Sequence, residues 1–292
     1  MSISDLTMFN SLAYSISAVE ENLQQSQIAL ATGKQINQPS DNPTAWEQST
    51  LMTGRESAMS NDVTLAGSVQ TRLAGADSAL NQAENAVNAA IVTATQGSDA
   101  TVSTAQMQSL AQSVQGMLSE VIDAANIQQL GSYIFSGTQT LTQPYSASGV
   151  YAGNAGSNSV TFSDGTSLQE TFNGQAIFGD NTSGAIGALT SLVSALSAGN
   201  KAGVAAALPA LQSALQQLAT ARTALGATMN RLQTLVTNTN GEIISVKSAQ
   251  SNLVDANVAQ LAANVQEQLL QENALISLAS GFSKIPLVNV LA

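Results

Sequence analysis

Between Ala66 and Ala94, apolar residues recur at alternating three- and four-residue steps without a break. They are Ala66, Val69, Leu73, Ala76, Leu80, Ala83, Val87, Ala90 and Ala94. A stripe of that period runs straight along one face of a helix, and it persists over many turns only where the helix buries a seam against other helices. The same spacing returns in Met107, Leu110, Val114, Met117, Val121 and Ala124. It returns again from about Pro209, in Leu211, Leu215, Leu218, Leu225, Met229, Leu232, Val236, Ile243 and Leu253. Alanine alternates with leucine and valine along the seam, so the helices can approach closely. The fold class is therefore mainly α, a long coiled-coil-like helical bundle.

The two ends of the chain carry shorter stripes of the same kind. Near the start stand Phe9, Leu12, Ile16, Val19 and Leu23; near the end stand Val254, Val258, Leu261, Val265 and Leu269. Gln260, Asn264, Gln266, Gln268 and Gln271 fill the remaining faces of the second segment, which are polar but almost uncharged. A lone helix with such a stripe is marginal in water and needs a partner surface. Each terminal stripe is the natural mate of the other. These ten residues are the candidate subunit-assembly residues.

The first segment ends at Gly33, a natural helix stop, and Pro39 and Pro43 bias their preceding residues to extended geometry. A new helix begins near Trp46. Either Asn42 caps it with Pro43 in the first helical position, or Thr44 and Glu47 form a capping box. Trp46 fits a packing residue at a helix start better than a ligand pocket. The sequence at 97–100 ends that helix.

Between about 136 and 184 the period changes. Most aromatic residues lie here or at its edges: Tyr133, Phe135, Tyr145, Tyr151, Phe162, Phe172 and Phe178. Asp164-Gly165 flanked by Val160–Phe162 and Thr166–Leu168 predicts a hairpin within a small β-rich insertion. Ile186, Leu189, Val193 and Leu196 predict a short helix, followed by a loop over 198–203. The expected organisation is nested: 1–45 is an N-terminal helix and spoke pairing with 254–292. Segments 46–135 and 186–253 are the two parts of the bundle, 136–185 is the insertion, and 254–292 is the C-terminal assembly helix.

Composition narrows the function classes. Only 9% of residues are charged, against about 25% in an ordinary soluble domain. The net charge is −11, and the eight basic residues are scattered, so no nucleic acid is expected as a partner. No histidine or cysteine is present, which removes the commonest general base, thiolate chemistry and the usual zinc ligands. Met107, Met117 and Met229 fit gap-filling core positions. No GxSxG, P-loop or GxGxxG stands in a strand-to-helix context. Asp164-Gly165 lacks the regular oxygen ligands of a calcium loop, and Asn181-Thr182-Ser183 matches a glycosylation sequon. Catalysis, cofactors and metals are not expected. The opening residues lack a basic region and no run of eighteen apolar residues exists, so neither a cleaved signal peptide nor membrane insertion is expected.

Three stretches together resemble the bacterial flagellin superfamily. Residues 23–46 (LQQSQIALATGKQINQPSDNPTAW) look like its N-terminal Leu-x-x-Leu-Ser-Ser-Gly-x-x-Ile block. Residues 128–146 (QQLGSYIFSGTQTLTQPYS) are the second stretch and the tail 253–292 is the third. Gln38-Pro39-Ser40-Asp41-Asn42-Pro43 and Gly131–Gly137 followed by Pro144-Tyr145 favour the superfamily's hook–filament junction branch over its filament-forming branch. The tail departs from both, with Ile285-Pro286-Leu287-Val288 in place of the usual leucine-rich ending. The resemblance implies a structural subunit of the flagellum, exported unfolded and without a cleaved signal peptide. It also implies a dedicated export chaperone on the C-terminal helix and a place outside the cell. Its implied partners are other copies of itself in a ring, a neighbouring hook-associated protein, and flagellin. A short flagellin building the filament itself, and a helical adhesin or binding module using the insertion for recognition, are the alternative readings.

Overall fold

The computed structural model describes residues 3–283, with the side chains at 3–6, of Phe9 and at 281–283 outside the described set. Among the described residues seven helices and four short strands follow one another. They are α1 (Ile3–Thr32), α2 (Pro43–Gly97), α3 (Thr104–Ala125), β1 (Gln128–Gln129), β2 (Ser132–Tyr133), β3 (Ser159–Thr161), β4 (Ser167–Gln169), α4 (Gly174–Phe178), α5 (Gly184–Ser197), α6 (Lys201–Val254) and α7 (Val258–Ser283). The chain divides into two compact units, Met1–Ser57 with Glu242–Ala292 and Ala58–Gly241, so both divisions fall inside α2 and α6.

In the second unit the heptad seam is the core. All nine stripe residues from Ala66 to Ala94 are buried, and they form one cluster with Met107, Val114 and Val121 of α3, Leu189, Leu192 and Leu196 of α5, and Leu211, Leu218, Leu225 and Leu232 of α6. Met117 and Met229 pack against its margin. Arg222 of α6 donates to Asp77 at 2.8 Å and to Glu84 at 3.1 Å on α2. Ser103 caps α3 in a reciprocal capping box with Gln106.

Two boundaries differ from the sequence reading. Helix α6 begins at Lys201, so 201–203 are helical and Pro209 lies inside the helix rather than at its head. Pro209 sits on an exposed face, where the missing N–H removes one backbone bond without burying an orphan carbonyl partner. The insertion holds the expected antiparallel hairpin, with Val160 opposite Leu168, but little other strand. A second hairpin pairs β1 with β2 through Leu130 and Gly131, both at positive φ. Asp164 lies in an exposed turn whose carboxylate accepts from Thr166, and no cluster of potential metal ligands occurs among the described residues.

Aromatics replace the missing strands as the insertion's core. Phe135 and Phe178 meet edge to face at 4.9 Å, and the Tyr145 hydroxyl donates to the Gly179 carbonyl at 2.8 Å. Burial pushes the Tyr145 phenol well above its ordinary pKa, so it stays a neutral donor. Asn126, just past α3, closes both backbone groups of Tyr145 with its amide, which fastens the insertion to the bundle.

Candidate subunit-assembly surface

The first unit brings the two chain ends together. Gly33 (φ +70°) stops α1 as a left-handed residue, and the linker beyond it meets the turn that joins α6 to α7. The Gln35 amide donates to the Val254 carbonyl at 2.8 Å, and the Ala256 amide donates to the Gly33 carbonyl at 2.9 Å. Lys34 and Asp255 form an antiparallel bridge between these bonds. Beneath them Ile36, Ala45 and Val254 make a small buried cluster.

The linker is shaped by its own polar side chains. The Asp41 carboxylate accepts from the amides of Asn37 (2.8 Å) and Gln38 (3.0 Å), and these bonds, the Asn37 amide first, lower its pKa. The Asn42 side chain accepts from the Ala45 amide at 3.1 Å. With Pro43 as the first helical residue, Asn42 is the cap of α2, which decides between the two starts the sequence allowed. Asn257 caps α7 in the same way, accepting from Gln260 at 3.2 Å.

Helices α1 and α7 pack along each other. On α1 the inward residues are Leu12, Ile16 and Val19, half-buried, and Leu23, buried. The Phe9 side chain lies outside the described residues. On α7 the inward stripe is Leu261, Val265, Gln268, Glu272, Leu275 and Ala279, all half-buried. Val254 is buried, at the end of α6. Val258 and Leu269 depart from the expected stripe, being 51% and 36% exposed. Val258 keeps the register of Leu261 and Val265 but is the first residue of α7, where its side chain stays exposed. From Val265 onward a strict heptad places Gln268, not Leu269, in the seam. Gln268 pays for that position, because its Oε1 is buried and has no hydrogen-bond partner among the described residues. Counting the heptad forward from Leu261 would have found Gln268, Glu272 and Leu275; the apolar character of Leu269 misled the pattern.

The outward faces of the pair are unusually apolar. Met8, Tyr14, Ile28 and Leu30 of α1 and Leu270, Ile276 and Leu278 of α7 are exposed. Neither helix contains a lysine or arginine. Beside the linker lies an open cleft of about 700 Å³, walled by Lys34, Ile36, Trp46, Thr50, Gly54 and Val254 among others. The Trp46 ring, read from the sequence as a packing residue, is 37% exposed and forms one wall of it. Further along the same unit, Arg55 pairs with Glu242 at 2.6 Å and Lys247 with Glu56 at 3.1 Å, clamping α2 to α6.

Residues 3–140 match the bacterial flagellin N-terminal helical region, and residues 208–291 match the bacterial flagellin C-terminal helical region. The chain is 28% identical to flagellar hook-associated protein 3 of Escherichia coli over 84% of each chain. It is 27% identical to the protein of the same name from Salmonella typhimurium, over 77% of this chain and 79% of that one. Its fold is similar to that of the flagellar junction protein from Legionella pneumophila, with a TM-score of 0.59 and 16% identity, covering 72% of this chain and all of the other.

Proposed function

This chain belongs to the bacterial flagellin family, and from that premise we propose that it is a structural subunit of the flagellum forming the junction ring between hook and filament. The observation that carries the reading is the paired, half-buried seam of α1 and α7, which lies within the two regions that define the family. The likeness to hook-associated protein 3 over most of both chains supports the junction over the filament itself.

In this reading 1–45 and 254–292 are the assembly segments, 46–135 and 186–253 the supporting bundle, and 136–185 an insertion directed to other contacts. Leu12, Ile16, Val19 and Leu23 with Val254, Leu261 and Val265 hold the terminal pair together, while Val258 and Leu269 face outward, toward neighbouring copies. The partners are other copies in a ring, a hook-associated protein on one side, flagellin on the other, and an export chaperone beforehand. The subunit works outside the cell after export without a cleaved signal peptide. Low charge and exposed apolar residues on both terminal helices support burial in an assembly.

Labelled protein in intact flagella tests the proposal. One band at the distal end of each hook is expected, and deletion of the chain should leave hooks without filaments and flagellin in the medium. Label distributed along the filament, or normal filaments in the deletion strain, would refute it.

A further inference from the structure

We propose that the cleft at Trp46 is the docking site for α7 of a second copy of this chain, with Leu270 as the apolar anchor and Glu267 paired to Lys34. This deepens the assembly reading above and rests on it. Three observations converge. The cleft has an apolar floor, Ile36 and Val254, beside an exposed tryptophan wall. Its rim includes Lys34, whose amino group has no carboxylate within 4.0 Å among the described residues, whereas Arg55 and Lys247 nearby are both paired. The third observation is Gly54. A Cβ built there would meet nothing within 4 Å, so no packing inside the chain requires glycine, although a mid-helix glycine weakens the helix. A bare backbone at the edge of a cleft fits the close approach of another chain.

The occupant is fixed by charge and shape. It must offer an apolar anchor and an acid on one helical stripe, with no base to repel Lys34. Glu267, Leu270, Ala274 and Leu278 lie at three- and four-residue steps on α7, and all four are exposed. Leu270, at 70%, is the most exposed large apolar residue among the described side chains of that helix. The chain's own α7 cannot supply it. That helix starts beside the cleft at Val258 and runs away along α1, so Leu270 stands roughly 18 Å further on at about 1.5 Å per residue. The stripe must come from a neighbour.

The chain has no cysteine, which gives a clean test. Purified full-length Thr50→Cys and Leu270→Cys chains are mixed at concentrations where sedimentation detects association, then oxidised. A disulfide-linked heterodimer is expected at no less than ten times the level given by Thr50→Cys mixed with a chain carrying Cys at exposed Ser113. Lys34→Glu and Glu267→Lys should each weaken association at least tenfold, and the double variant should restore it to within a factor of three. Association without the specific cross-link, or charge reversals that fail to rescue each other, overturns the docking. Absence of any association overturns it too. None of these outcomes moves the position of label on the flagellum, so failure here is distinct from failure of the junction reading.

Discussion

Replacing Gln268 by leucine should make the α1–α7 pair more stable, an unusual direction for a change in a helix seam. The buried Oε1 has no hydrogen-bond partner among the described residues, and an orphaned polar atom costs about 1–3 kcal/mol relative to a satisfied or apolar one. Leucine keeps the helix propensity and nearly the volume, and on the inward stripe it stands between Val265 and Leu275, with Glu272 the one other polar member. At about 1.4 kcal/mol per tenfold, the ratio of closed to open pair should rise roughly 5- to 150-fold. Native-state hydrogen exchange of the isolated protein reads this directly, as slower exchange across 3–32 and 258–283 with the 58–241 core unchanged. Gln266→Leu, on an exposed face of the same helix, is the control and should leave exchange nearly as it was. If Gln268→Leu gives no added protection, or Gln266→Leu gives as much, the seam assignment of Gln268 is wrong. A stabilised pair should also assemble less readily where neighbours must reopen it, which links the folding measurement to the function.

Removing the α2 cap with Asn42→Ala should cost about 0.5–2 kcal/mol, seen as a lower denaturation midpoint for the 1–57 and 242–292 unit. Gly179 has φ +80°, and a Cβ there would collide with the backbone of Ser183 and Gly184; Gly179→Ala should therefore unmoor Tyr145 and Phe178, with loss of the near-ultraviolet aromatic signal while helix content is kept. The Asp180 carboxylate accepts from the hydroxyl and amide of Thr182, from Ser183 and from Gln175, which together depress its pKa strongly, the Thr182 hydroxyl first. A carboxyl depressed in the folded state stabilises fully above its unfolded pKa of about 4 and loses that contribution as pH falls further. Thermal melts should accordingly drop between about pH 4 and 2, and less steeply in Asp180→Asn; equal slopes would show that the turn contributes nothing to acid stability.

How much of this was legible depends on where the partner surface lies. The seam from Ala66 to Ala94 could be read residue by residue, because α3, α5 and α6 of the same chain cover it completely and every position obeys one period. The start of α6 could not, since Pro209 resembles a first-turn proline and Gly203 a loop residue, while helical context around both overrode their local preferences. The β1–β2 hairpin depends on Leu130 taking positive φ, which leucine does not advertise. In the linker, two hydrogen bonds to Asp41 are local, but the bonds from Gln35 to Val254 and from Ala256 to Gly33 join residues more than two hundred positions apart. Periodicity carries no information about such backbone pairings.

The terminal helices show the complementary limit. Their stripes have the same spacing as the α2 seam, yet Leu12, Ile16, Val19, Leu261 and Val265 are only half-buried where Val69, Leu73 and Val87 are wholly buried. Period specifies which face a helix turns inward; it does not specify how many surfaces will meet that face. With one mate each, α1 and α7 leave an unsatisfied amide in the seam and a row of large apolar residues outside it. A chain meant to fold alone would gain by replacing both. Keeping them is consistent with a pair whose remaining burial comes from other copies, and the absence of any lysine or arginine on either helix means that contacts between α1 or α7 of one copy and those of another contain no side-chain ion pair. The cation for an ion pair has to come from elsewhere in the unit, and Lys34 at the Trp46 cleft is the unpaired one among the described residues there.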